Sequence, residues 1–255
     1  MIRSMTDICT MKVFPLSEGS FTIDKTKQFV PFDDHKDVLK ARPPGSLLVE
    51  VQPFVVVTSR DVLLIDTGLG FSDESGVMQL HKNLIEAGID PRSITKVLMS
   101  HLHKDHAGGV AEEKDRSQLS FPQATYYIQD QELKYAMQKG LPSYLPDELK
   151  ALETAGNVVL LTEPAGLIDN YIEYQVTGAH SLYHQVFWIR DENQVIFFGA
   201  DDAPQLPQMK QRFAAKYDYD GKKAMELRVE WWQKAEVEKW TFLFYHDIKT
   251  PVYKM

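Results

Sequence analysis

The stretch His101-Leu102-His103-Lys104-Asp105-His106 decides the reading of this chain. It offers three imidazoles and a carboxylate, all side chains that hold metal ions, within one short run. An apolar run, Val97-Leu98-Met99, precedes it and Ala107-Gly108-Gly109 follows, so it reads as a loop leaving the end of a buried strand. On such a turn, adjacent and alternate residues can face opposite sides, which suits two metal ions better than one. Packing or surface decoration accounts poorly for that density, because further ligand-type residues recur in order downstream.

Three of these stand where an apolar strand gives out. They are His180 in Thr177-Gly178-Ala179-His180, Asp201 in Phe198-Gly199-Ala200-Asp201, and His246 in Phe244-Tyr245-His246-Asp247. Strand ends in layered sheets converge on one edge, so loops distant in sequence can build one site. Taken singly, His180 or His246 reads as a core histidine; taken after HxHxDH, the ordered set reads as a metal centre. His184 reads as a structural hydrogen-bonding residue, and His35 and His81 as solvent-facing. Lys104 is expected to point away from the metals.

Composition bounds the alternatives. A chain of 255 residues with 44% hydrophobic and 25% charged residues has ample material for a soluble core. A net charge of −8 and a pI near 5.5 argue against a nucleic-acid partner, since phosphate binding rests on clustered Lys and Arg. No apolar run approaches the roughly 18 residues that span a bilayer, and Met1 to Lys12 lacks the apolar core of a signal peptide. The single cysteine, Cys9, forms no intrachain disulfide and fits a reducing compartment. A cytoplasmic protein with a small-molecule substrate and no membrane partner is expected; the oligomeric state stays open, a homodimer included.

Without linker or low-complexity segment, residues 1–255 read as one domain. Strands are expected at 11–15, 19–23, 47–52, 54–58, 62–65, 96–100, 124–129, around 158, and at 172–176, 185–190, 195–198 and 240–245. Residues 28–45 read as a long irregular loop. Helices are expected at 75–87, with Val77, Leu80, Leu84 and Ile85 as the apolar positions, at 131–138, and at 221–238, where Met225, Val229 and Trp232 form the buried stripe. The segments 55–66 and 186–201 echo each other, each a strand, a polar turn and an apolar strand ending on aspartate. Two β-rich halves with helices suggest two sheets face to face with helices outside.

With these residues in view, the chain resembles the metallo-β-lactamase fold superfamily of binuclear metallohydrolases, from Asp66-Thr67-Gly68 to His246-Asp247. The resemblance implies an α+β (α/β) four-layer αββα sandwich. It assigns His101, His103 and His180 to one metal and Asp105, His106 and His246 to a second, with Asp201 bridging both. Asp66 matches a residue that buttresses the ligand loop. The implied cofactors are two divalent ions, Zn²⁺ first, with Fe²⁺, Mn²⁺ or Co²⁺ as alternatives that the ligand types do not separate. The implied chemistry is hydrolysis by a hydroxide shared between the metals, with Asp105 and Asp201 as the catalytic carboxylates.

Details narrow the resemblance. The chain ends soon after His246, without the helical extension of glyoxalase II-like thiolesterases, and no flavin domain follows. The Glu18-Gly19-Ser20-Phe21 stretch, Tyr217-Asp218-Tyr219-Asp220 and the closing His246-Asp247 resemble the lactonase and organophosphate-hydrolase branch. Acyl-homoserine-lactone lactonases place a tyrosine three residues after the bridging aspartate, where this chain has Pro204. Asp201 is preferred to Asp202 as the bridge from the register of Ala203-Pro204. The expected function is hydrolysis of a lactone, carboxylic ester or phosphotriester; a thiolesterase and a non-hydrolytic redox or sensing protein are the rivals. Phe29, Phe32, Phe213, Tyr183 and Tyr217 are candidates for a substrate wall, though core packing is the commoner fate of such aromatics.

Overall fold

The computed structural model describes residues 11–255; Cys9 lies outside them. The strands of the first half are β1 (Lys12–Pro15), β2 (Gly19–Ile23), β3 (Phe29–Pro31), β4 (Leu47–Val51), β5 (Phe54–Val57), β6 (Val62–Ile65), β7 (Lys96–Leu98), β8 (Thr125–Gln129) and β9 (Val158–Leu161). Those of the second half are β10 (Ala165–Ile168), β11 (Ile172–Val176), β12 (Gln185–Asp191), β13 (Gln194–Phe198), β14 (Thr241–Leu243) and β15 (Val252–Lys254). The helices are α1 (Gln79–Glu86), α2 (Lys104–Ala107), α3 (Asp130–Lys139), α4 (Pro146–Thr154), α5 (Leu206–Lys210) and α6 (Gly221–Glu238). One sheet runs β1-β5-β6-β7-β8-β9, the other β10-β11-β12-β13-β14-β15, and β3-β2-β4 form a small third sheet.

Strand alternation builds the layers. In β5 and β6, Phe54, Val56, Leu63 and Ile65 face one way, where they pack with Ile172, Phe187, Ile189, Ile196 and Phe198 of the other sheet. Their neighbours Val55 and Leu64 face the opposite way, onto Leu80 and Leu84 of α1, with Leu133 of α3 and Leu149 of α4 in the same cluster. In the second sheet, Val186, Trp188, Phe197, Phe242 and Phe244 turn outward to Trp231 and Ala235 of α6. Both faces of each central strand are therefore apolar, which is why these strands read as continuous hydrophobic runs. The result is helix, sheet, sheet, helix.

The internal echo has a structural counterpart. The β5–β6 hairpin is followed by parallel β7, and the β12–β13 hairpin by parallel β14. Register pairs Ile65 with Leu98 and Phe198 with Leu243, so in each sheet the two carboxyl ends finish side by side. Asp66, the histidine loop, Asp201 and His246 all leave from those ends.

Several expected features differ. The first helix starts at Gln79, because Asp73 Oδ1 accepts from the main chain of Ser75 and Val77 and Gly76 is left-handed at φ +77°. That Asx-type turn consumes the donors a helix would need; Val77 is exposed within it, and Ile85 is exposed on the face of α1 opposite Leu80 and Leu84. In α6 the buried stripe is Ala224, Arg228, Trp231 and Ala235, one residue out of phase with the expected Met225, Val229 and Trp232. The helix is rotated to bury an arginine, which a hydrophobic stripe does not signal. Helix α4 and strands β3, β10 and β15 went unexpected; β3 interrupts the loop read at 28–45, where His35 is exposed. His81 is half-buried rather than solvent-facing, its ring edge-on to Phe121 and its Nε2 3.1 Å from the Ser120 carbonyl.

Candidate metal centre

The histidine loop is held from three sides. The Thr67 amide and hydroxyl donate to the His106 carbonyl at 2.7 and 3.0 Å, and the Gly108 amide donates to the Gly68 carbonyl at 2.9 Å. A Cβ on Gly108 would lie 2.3 Å from the Leu69 carbonyl oxygen, and one on Gly109 2.2 Å from that of Thr67. Glycine at these two positions is what lets the Asp66–Gly70 turn lie against α2. From α3, buried Glu132 accepts the Leu102 amide at 3.0 Å, between the first two histidines. Tyr245 donates its hydroxyl to the Asp105 carbonyl at 2.6 Å and stacks on the His106 ring at 4.0 Å.

The seven ligand-type residues meet in two groups. In the first, ligand atoms of His101, His103, His180 and Asp201 all lie within 4.8 Å of one another; in the second, so do those of Asp105, His106 and His246. His103 Nδ1 lies 3.0 Å from His101 Nε2 and 3.2 Å from His180 Nε2, so three ring nitrogens converge. Asp201 joins the groups. Its Oδ2 is 3.1 Å from His180 Nε2, while its Oδ1 is 3.1 Å from His106 Nε2 and 3.0 Å from His246 Nε2. Asp105 Oδ2 stands 3.6 Å from His246 Nε2 and 3.8 Å from His106 Nε2.

Partners outside the centre set the tautomers. His106 Nδ1 donates to Asp66 Oδ2 at 2.7 Å, His246 Nδ1 to the Glu50 carbonyl at 2.6 Å, and His180 Nδ1 to Asp218 Oδ1 at 2.9 Å. The Ser100 hydroxyl commits its proton to Asp66 Oδ2 at 2.6 Å, so it can accept from His101 Nδ1 at 3.1 Å. Each of these four rings therefore turns its Nε2 inward. Asp66 also takes the Ser100 amide at 2.7 Å, so one carboxylate holds both the His106 ring and the start of the histidine loop.

The electrostatics suit cations. Burial, then the neighbouring imidazoles, push His101 and His103 well below the usual histidine range, keeping them neutral and able to donate lone pairs. Burial also pushes His106 down, but Asp201 and Asp105 outweigh it and hold the ring well above that range. Asp201 is held far below the carboxylate range: burial opposes this, and His246, His106 and His180 overcome it. Yet His106 Nε2 and Asp201 Oδ1, buried and 3.1 Å apart, make no hydrogen bond of acceptable geometry among the described residues. Buried polar atoms left in this condition are costly. Imidazole nitrogens and carboxylate oxygens so arranged fit divalent metal ions, which would satisfy both atoms at once.

Behind the ligands lies a layer the sequence reading only partly reached. Asp202 is fully buried and turned from the centre: its Oδ1 accepts the His180 amide at 2.7 Å and its Oδ2 faces His184 Nδ1 at 3.1 Å. His184 Nε2 accepts the Asp201 amide at 3.3 Å, so this histidine braces the shared carboxylate from outside. Asp218 belongs to the Tyr217-Asp218-Tyr219-Asp220 stretch that carried part of the resemblance, but nothing in the sequence paired it with His180, and Arg228 gave no signal. Lys104 lies 5.6 Å over the Phe29 ring, away from the ligand groups. Phe213 and Tyr217 are exposed rather than core, with Tyr217 edge-on to His180 at 6.0 Å between centroids.

The profile of the metallo-beta-lactamase superfamily matches residues 49–229. No curated protein matches the chain. Among solved structures, a probable metal-dependent hydrolase from Staphylococcus aureus is 18% identical with a TM-score of 0.77, over 96% of this chain and 92% of its own. AidC, a dizinc quorum-quenching lactonase in complex with a product, is 21% identical at a TM-score of 0.71, over 95% and 89% of the two chains. AbOPH, a hydrolase in the beta lactamase superfamily, is 20% identical at 0.73, over 96% and 89%. At these identities the likeness establishes the fold.

Proposed function

The chain belongs to the metallo-β-lactamase superfamily, and from that premise we propose a metal-dependent hydrolase acting on a small-molecule lactone, carboxylic ester or phosphotriester. The observation that carries this reading is Asp201, whose two oxygens face the two ligand groups separately. His101, His103 and His180 would hold one divalent ion, Asp105, His106 and His246 a second, and Asp201 both, with Zn²⁺ the first candidate. When bound, such a pair supplies Lewis acidity and brings the ionisation of water near neutral pH.

The residues of the chain do the rest. Four outer acceptors hold the Nδ1 protons, so that each Nε2 is the atom that would meet a metal ion. Asp105 and Asp201 offset only part of the charge of two divalent ions, so the centre favours an anionic transition state. The Ser100 hydroxyl is engaged with Asp66 and His101, which leaves it a brace and not a nucleophile. Lactone cleavage is supported by the likeness to a dizinc lactonase, and hydrolysis in general by the likeness to the other hydrolase neighbours. Pro204, in place of a tyrosine, sets this specificity apart from a direct copy of the acyl-homoserine-lactone enzymes.

The test is a panel of lactones, aryl esters, phosphotriesters and an acyl-glutathione, assayed with zinc and after chelation. Chelator-sensitive turnover of one of the first three classes is expected. Preference for the thiolester would replace the substrate class, and redox-active iron with no hydrolysis of any member would replace the reaction.

A further inference from the structure

Of the inward-facing imidazoles, His180 is oriented in a way the others are not. His101, His106 and His246 take their outer partners from strands or the turns directly after them: Ser100, Asp66 and the Glu50 carbonyl. His180 takes its partner, Asp218, from the irregular segment between α5 and α6. Both side chains are buried, at 6% and 3% exposure, and the Nδ1 to Oδ1 distance is 2.9 Å.

That segment is fastened mostly to the His180 turn. The Tyr219 amide donates to the His180 carbonyl at 3.0 Å and the Asp220 amide to the Ala179 carbonyl at 2.7 Å. Beneath it, the fully buried Arg228 of α6 donates through Nη1 to the Asp202 carbonyl at 2.8 Å and through Nη2 to the Phe213 carbonyl. One guanidinium thus ties the segment to the turn that carries the shared aspartate. The same segment presents Phe213 and Tyr217 to solvent, at 40% and 44% exposure, with Tyr217 beside the His180 ring.

We propose that Asp218 is the positioning residue of the first ligand group, the counterpart of Asp66 in the second, and that it couples affinity for one ion to docking of segment 211–220. The inference rests on the binuclear reading above. A carboxylate on the outer nitrogen of a ligating histidine fixes its tautomer and raises its basicity; losing such a partner lowers metal affinity about 10–100-fold. Asp218 is the only carboxylate of the described residues within hydrogen-bonding distance of His180 Nδ1, since Asp202 is engaged with the His180 amide and with His184. Because binding free energies are reciprocal, an ion on His180 must in turn strengthen the docking of the segment and of its aromatic rim.

Zinc titration of metal-stripped wild type, Asp218→Asn and Asp66→Asn tests this. Wild type is expected to take up two equivalents. Asp218→Asn should bind one equivalent about 10–100-fold more weakly and the other as wild type does. Asp66→Asn should weaken the other equivalent. Hydrogen exchange of residues 211–220 in wild type, which needs no variant, should slow on zinc addition at the Tyr219 and Asp220 amides. Two equivalents at wild-type affinity in Asp218→Asn, or exchange of the segment indifferent to zinc, overturns the proposal. Wild type taking up fewer than two equivalents overturns the binuclear reading and the proposal with it.

Discussion

Glu18 makes the stability of this protein fall as pH rises through neutrality. Its Oε2 accepts the Leu69 amide at 2.6 Å, while its Oε1 is sealed from water without a partner among the described residues. Burial, only partly offset by that hydrogen bond, raises its pKa from 4.5 to about 7. The folded state therefore holds a proton that the unfolded chain has released between those values. The stabilisation is complete below about pH 4.5 and is lost as pH climbs through 7. At about 1.4 kcal/mol per pH unit, the loss between pH 5 and pH 8 comes to roughly 2.5 kcal/mol. Glu18→Gln keeps an oxygen for the Leu69 amide and removes the titration. Urea unfolding of both proteins at pH 5, 6, 7 and 8 isolates the effect, because other titrating groups cancel in the difference. The variant should gain on wild type by about 2–3 kcal/mol across that range. A difference that stays flat with pH would show that Glu18 does not titrate as its burial dictates.

Other perturbations follow from contacts already described. Gly108→Ala forces a Cβ to within 2.3 Å of the Leu69 carbonyl oxygen, and should cost about 1–3 kcal/mol together with metal uptake, both read from thermal melts and metal analysis. Gly88→Ala is its control: a left-handed residue at φ +77° with open space around it should lose about 1–2 kcal/mol and keep its metal. Trp231→Ala removes a ring buried against Phe197 and Trp188, and should cost about 3–5 kcal/mol by urea unfolding; a loss under about 1 kcal/mol would mean the outer aromatic layer collapses around the gap. His106→Ala should lower metal content and most turnover while circular dichroism shows the fold retained.

Much of the candidate centre was legible because its ligand-type residues stand at strand ends. Buried strands announce themselves as apolar runs, and the first ligand-type residue beyond each run is the one the sheets bring together. That logic singled out His180, Asp201 and His246 as candidates, while the register of Ala203-Pro204 separated Asp201 from its neighbour Asp202, which faces His184. What stayed hidden depends on contacts across the fold. Asp218 lies far from His180 in sequence, on a segment without periodicity, and Arg228 occupies a helical face where an apolar residue was expected. The burial of Glu18 and Glu132 gave no signal, since burial of a lone carboxylate leaves no pattern along the chain. Val77 misled because a hydrophobic period does not reveal that an aspartate turn delays the helix.

The central claim is that one aspartate is shared between two ligand groups. Metal analysis of zinc-saturated, desalted wild type beside Asp201→Asn tests it most directly. Two zinc ions per chain in wild type, with uptake at both positions weakened in the variant, is the predicted result. A wild type holding a single ion, or a variant that keeps both at full affinity, would contradict it.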